Sequence, residues 1–98
     1  MKTSKLLRVL IEREGAEVAA LLHEGVWFRQ ADGTVHEGRE AVLAMFARSD
    51  REARYSVIDE THDTVRVALE VPGVPGAFSF ELCGRAEGAV LVEVWVER

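Results

Sequence analysis

The run HEGVWFRQADGTVHEG, residues 23–38, carries the tripeptide His-Glu-Gly twice, starting at His23 and at His36. Histidine and glutamate bind zinc and move protons, so the repeat raises metal hydrolysis first. A zincin needs HExxH on one helical face. Here Trp27 stands four residues after His23 and Glu40 four after His36. Gly38 is expected to open a helix, so His36 lies before it and shares no helical face with Glu40. Zinc also needs three or four convergent ligands. Both glycines have a backbone reason to be present, Gly25 as a left-handed helix cap and Gly38 as a helix start. The repeat therefore predicts helix punctuation, with no metal and no cofactor.

Between the tripeptides, Trp27 and Arg29 share one face of an expected strand and Val26 and Phe28 the other. An arginine in an apolar cavity must be paired or must bind an anion. Arg29 is thus either a carboxylate, phosphate or enolate anchor, or half of an internal ion pair with Asp59, Glu93 or another acid. Further along, Tyr55 and Asp59 share strand parity, and with His36 or His62 they could do acid–base work. Asp59 and His62 equally suit a turn. His36 is the stronger candidate, because it borders the expected mouth of the domain. Cys83 is the single cysteine, flanked by Glu81 and Glu87. Acids oppose a reactive thiolate, so Cys83 reads as structural.

These side chains need elements to position them. Leu6, Leu7, Leu10 and Ile11 recur at helical spacing, predicting a helix over 5–14. Val18, Leu21 and Leu22 predict a second, ended by Gly25. Val26 to Gln30 reads as a strand, Ala31-Asp32-Gly33 as a turn, and Thr34 to Glu37 as a returning strand. Val42, Met45 and Phe46 mark a third helix, leaving at Ser49-Asp50. Strands are expected over 54–60, 64–71, 77–85 and 89–97, with the two Pro-Gly pairs of residues 71–76 as a reversal. One sheet face collects Val65, Val67, Phe78, Phe80, Val90, Val92 and Val94. The other collects Arg66, Glu70, Ser79, Glu81, Glu93 and Trp95. Helices first and antiparallel strands last define an α+β domain.

The 98 residues make one domain, 1–98, with 48% hydrophobic and 30% charged residues and a net charge of −5. The charge gives no basic footprint for nucleic acid and no attraction to an anionic membrane. Arg8 and Glu12 interrupt the N-terminal apolar run, so a signal sequence is not expected, and no stretch reaches a membrane span. The reading is a cytoplasmic protein.

Residues 20–47, ALLHEGVWFRQADGTVHEGREAVLAMFA, resemble the core motif of the nuclear transport factor 2-like superfamily, which includes SnoaL-like cyclases and ketosteroid isomerases. The resemblance runs from helix end through aromatic strand and Gly turn to a Gly-Arg helix start, and the later strands extend it over nearly the whole chain. It implies a cone: three N-terminal helices packed in a curved antiparallel sheet, a cystatin-like roll with a pocket at the wide end. It also implies homodimers through the outer sheet face, where Trp95 stands. The isomerase catalytic set is not matched. The resemblance places Arg29 at the general base, Lys5 near the oxyanion tyrosine and Phe80 near the second oxyanion acid, and arginine is no base near neutral pH. The expected function is binding of a small, partly apolar, anionic or carbonyl-bearing molecule by Trp27, Arg29, Phe46, Phe78 and Phe80. The alternatives are a cofactor-independent isomerase, cyclase or hydratase using His36, Tyr55 or Asp59, and a dimerisation module whose pocket is filled.

Overall fold

The computed structural model describes residues 3–12, 16–47, 54–71 and 78–97, and among these not the side chains of residues 12, 16, 17, 47, 71 and 78. Helix α1 spans Thr3–Glu12, a single turn α2 spans Ala16–Ala19, and helix α3 spans Arg39–Ala47. The strands are β1 (Leu22–Arg29), β2 (Val35–Glu37), β3 (Arg54–Glu60), β4 (Thr64–Val71), β5 (Phe78–Glu87) and β6 (Val90–Glu97). The helix exit expected at Ser49-Asp50 and nearly all of the Pro-Gly reversal lie outside the described residues. No described helix is long and apolar enough to cross a membrane.

The α+β expectation holds, with corrections to its parts. Two helices rather than three make the helical layer. The expected second helix is only the turn α2, because Leu21 and Leu22 are drawn into the sheet. The Leu21 carbonyl accepts the Leu91 N–H at 2.8 Å, and Leu22 pairs with Leu91. The sheet is mixed rather than antiparallel. Its order is β2-β1-β6-β5-β4-β3, and β1 runs parallel to β6. A meander of four strands returns to the first hairpin in the same sense, and only a parallel pair closes that gap.

The inner face, against which the helices pack, carries the core. Leu6, Leu7, Leu10 and Ile11 of α1 are buried, as expected from their spacing. Below them lie Val65, Val67 and Leu69 of β4 and Leu82 and Ala86 of β5. Gly84 of β5 lets α1 sit close. A Cβ there would meet the Leu7 side chain at 3.6 Å and that of Leu91 at 3.5 Å.

Three irregularities break the simple alternation. In β6, Leu91 pairs with Ala86 and Glu93 with Arg85, leaving Val92 as an inserted residue. Leu91 and Val94 are therefore the fully buried pair, not the series Val90, Val92, Val94. In β3, Ile58 is inserted between Val57 and Asp59. In β1, extra residues lie between Leu22 and Trp27. Such bulges bend and twist a strand.

Candidate functional site

The first His-Glu-Gly sits in the β1 irregularity, not at a helix end. Gly25 has no positive φ, and its N–H donates to His23 Nδ1 at 2.9 Å. Arg39 donates twice to the Leu22 carbonyl, at 3.1 and 2.9 Å, covering an acceptor beside the bulge. The second His-Glu-Gly does lead into a helix. Gly38 has φ 93°, donates to the Val26 carbonyl at 2.7 Å, and accepts from Val42 N–H at 3.1 Å. It is the residue that turns a strand into α3. Among the described residues, no three of His, Cys, Asp and Glu converge as a metal-ligand group.

The β1–β2 turn sets the register of the site. The Asp32 carboxylate accepts the Thr34 N–H at 2.9 Å. That bond, with smaller help from His36, holds the Asp32 carboxyl below the ordinary value. Gln30 N–H donates to the Thr34 carbonyl at 2.8 Å, and Gly33 supplies φ 92°. His36 then pairs with Phe28 across the strands, so both side chains share the inner face. The imidazole stacks on Phe28 with centroids 6.1 Å apart and planes 20° apart. Phe46, delivered by α3, meets Phe28 at 5.0 Å and 56°. His36 Nε2 is buried and has no hydrogen-bond partner.

Trp27 and Arg29 are not beside this wall. Val26 and Phe28 are the buried residues of β1, and Arg29 is exposed. Trp27 and Arg29 do share a face, as alternation predicts, and it is the outer face of the sheet, away from the helices. The Arg29 guanidinium lies over the Trp27 ring, 5.8 Å from the centroid, and has no ion-pair partner among the described residues. Trp27 in turn lies 6.5 Å from Trp95. Glu93 is held by Arg85 at 3.0 Å, and Arg66 approaches Glu81 at 3.5 Å and Glu97 at 3.8 Å. Cys83 is buried on this outer face, paired in register with Arg66 and Trp95. Burial pushes its thiol up, against an opposing hydrogen bond from Arg66.

The Tyr55, Asp59 and histidine cluster does not assemble. The Ile58 insertion separates the parities of Tyr55, which pairs with inward Leu69, and Asp59, which pairs with outward Arg66. The Tyr55 hydroxyl donates to the Ser4 carbonyl at 2.8 Å. Glu60, missed in the sequence, turns inward instead, and its carboxylate accepts the Ser4 N–H at 2.9 Å. Both anchor the start of α1. His62 is an exposed turn residue, 3.9 Å from Asp63. Phe80 is half-buried against the core, and the Phe78 side chain lies outside what the structure describes.

No family model and no curated relative matches the sequence. Solved structures do match the fold. A protein from Sphaerobacter thermophilus is similar with TM-score 0.83 and 18% identity, over 99% of this chain and 95% of that one. An NTF2-like protein of unknown function from Cytophaga hutchinsonii is similar with TM-score 0.69 and 12% identity, over 98% and 96%. A hypothetical protein with a ketosteroid isomerase-like fold from Catenulispora acidiphila, in complex with trimethylamine, is similar with TM-score 0.66 and 15% identity, over 100% and 87%. The fold is thus similar to that of solved NTF2-like and ketosteroid isomerase-like proteins.

Proposed function

We propose that the protein binds a small, partly apolar molecule on the inner face of its sheet, against Phe28, His36 and Phe46. One observation carries this reading, the buried and unpartnered Nε2 of His36. Leaving a buried polar atom unpaired costs about 1–3 kcal/mol, and such atoms in native structures call for an explanation, a bound partner among them. A ligand bearing one hydrogen-bonding group removes that cost, and its apolar body meets aromatic walls, the usual lining of a ligand site. The trimethylamine complex of the Catenulispora protein supports a small-molecule role for this fold. The anionic ligand expected from Arg29 loses its anchor, since that guanidinium faces outward. A carbonyl- or hydroxyl-bearing ligand is favoured instead. Of the three acid–base candidates only His36 stands with Phe28 and Phe46, while Tyr55 faces inward but donates to the Ser4 carbonyl, so the geometry favours binding over multi-residue catalysis. The test is a thermal-shift screen of small ketones, alcohols and acids. A ligand at 100 times its Kd adds about 2.7 kcal/mol. A saturable shift lost in His36→Phe supports the site, and a flat screen sinks it.

A second reading rests on the outer face. Across the strands Arg29, Trp95, Cys83 and Arg66 stand side by side, with Trp27, Glu93 and Arg85 in the next row. Aromatic residues and arginines with acids at the margin match the make-up of protein interfaces. We propose that this face joins two copies about a two-fold axis, setting Arg29 of each against the acids of the other.

A further inference from the structure

We infer that His36 offers its interior nitrogen as a hydrogen-bond acceptor, and that the site takes an uncharged ring compound bearing a hydroxyl group. This rests on the binding reading above and names the ligand class. A neutral imidazole carries one N–H and one lone pair, and surroundings decide which nitrogen holds which. Among the described residues, only Nε2 of the two His36 nitrogens is both closed from solvent and unpartnered. Buried orphan donors are rarer than under-satisfied acceptors, so the lone pair is the cheaper group to bury. The proton then sits on Nδ1, the nitrogen that is not closed off. An interior acceptor needs a ligand that donates, and a hydroxyl does so where an ether or ketone does not.

Charge narrows the class further. Of Arg29, Arg39, Arg66 and Arg85, none turns an unengaged guanidinium to the aromatic wall. Arg66 and Arg85 are engaged with acids on the outer face, Arg29 lies over Trp27, and the Arg39 guanidinium is committed to the Leu22 carbonyl. An anion would lose its hydration with nothing in return. The inward acid Glu60 of β3 accepts the Ser4 N–H at the opposite edge of the sheet from β2, and Asp32 lies in the exposed turn with its carboxylate on the Thr34 N–H, so neither offers a cation a partner at the inner face of His36. Ring shape follows from the walls. Phe28 has one neighbour nearly parallel to it and one tilted by 56°, and aromatic groups favour such offset and edge-on contacts.

Three probes of similar size separate the possibilities: phenol, which donates, anisole, which only accepts, and benzoate, which is charged. Titration is followed by NMR on the side-chain resonances of Phe28, His36 and Phe46. Phenol is expected to bind about tenfold tighter than anisole, the worth of one good hydrogen bond, with benzoate weaker than phenol. His36→Phe keeps the wall, retains anisole binding and removes the preference for phenol. Nitrogen-15 shifts of His36 in the free protein are expected to show the proton on Nδ1. Anisole equal to phenol, benzoate as the tightest probe, a preference surviving in His36→Phe, or a proton on Nε2 would each overturn the inference while leaving small-molecule binding intact. Silence from all three probes would remove the binding reading itself, and this inference with it.

Discussion

Cys83 and His36 differ in what surrounds their reactive atoms. Cys83 is 3% exposed, and desolvation outweighs the Arg66 hydrogen bond, so its thiol is raised above the ordinary value. A thiolate is the reactive form. Iodoacetamide at neutral pH should therefore label the native protein far more slowly than the urea-unfolded chain, as read by mass spectrometry. Equal rates would mean that the thiol is open. The same shift has a sign for stability. A thiol raised in the folded state contributes stability that is complete below its unfolded value and is lost as pH rises through its folded value. Denaturant midpoints should thus fall on the alkaline side of the ordinary thiol range, and Cys83→Ser should flatten that fall. At the opposite side of the sheet, the Tyr55 hydroxyl bonds to the Ser4 carbonyl. Tyr55→Phe should cost about 0.5–1.5 kcal/mol in urea unfolding, with no effect on ligand binding. His36 was legible as a candidate from the sequence, because it stands at a strand end before a helix. Its stacking on Phe28 was not, since that requires the β1–β2 register. The reversal of Trp27 and Arg29 was also hidden, because alternation separates two faces without saying which one the helices cover.

Gly84 and Gly38 set the two helices in different ways. A Cβ at Gly84 would meet Leu7 and Leu91 at ordinary contact distances, and the backbone there needs no positive φ. Gly84→Ala should therefore raise stability, by about 0.5–1 kcal/mol for glycine in a strand interior. Gly84→Leu should lower it by about 1–3 kcal/mol by wedging α1 from the sheet. Gly38 has φ 93°, so Gly38→Ala should cost about 1–3 kcal/mol in backbone strain and blur the register of α3. Thermal unfolding of the three variants checks the order. The elements themselves were largely readable. Val65, Val67 and Leu69 alternate with Arg66, Ala68 and Glu70, and β4 buries the first set as that pattern predicts. The strand β6 was misread because Val90, Leu91 and Val92 are all apolar, so hydropathy cannot mark the inserted residue. The insertion at Ile58 escaped for the same reason. Leu21 and Leu22 suit a helix or a strand equally, and a partner far along the chain decided between them.

The protein as a whole presents two faces with different duties: an inner one closed by helices and an outer one of tryptophans and ion pairs. If copies join through the outer face, sedimentation velocity should show a dimer that Arg29→Glu weakens and Trp95→Glu abolishes, and a stable pair should bury about 1,200–2,000 Å². A monomer at all concentrations for the parent protein would count against it. The pairing of β1 with β6 has a consequence for how the fold comes into being. On a ribosome the first hairpin emerges early, yet one side of β1 stays unpaired until β6 appears, more than sixty residues later. Contacts so distant in sequence slow folding, and an unpaired strand edge invites association with other nascent chains. A stall shortly before β6 emerges should leave Leu22, Val26 and Phe28 exposed, and recognition by a chaperone should peak at that length and fall once Val94 is clear of the exit tunnel.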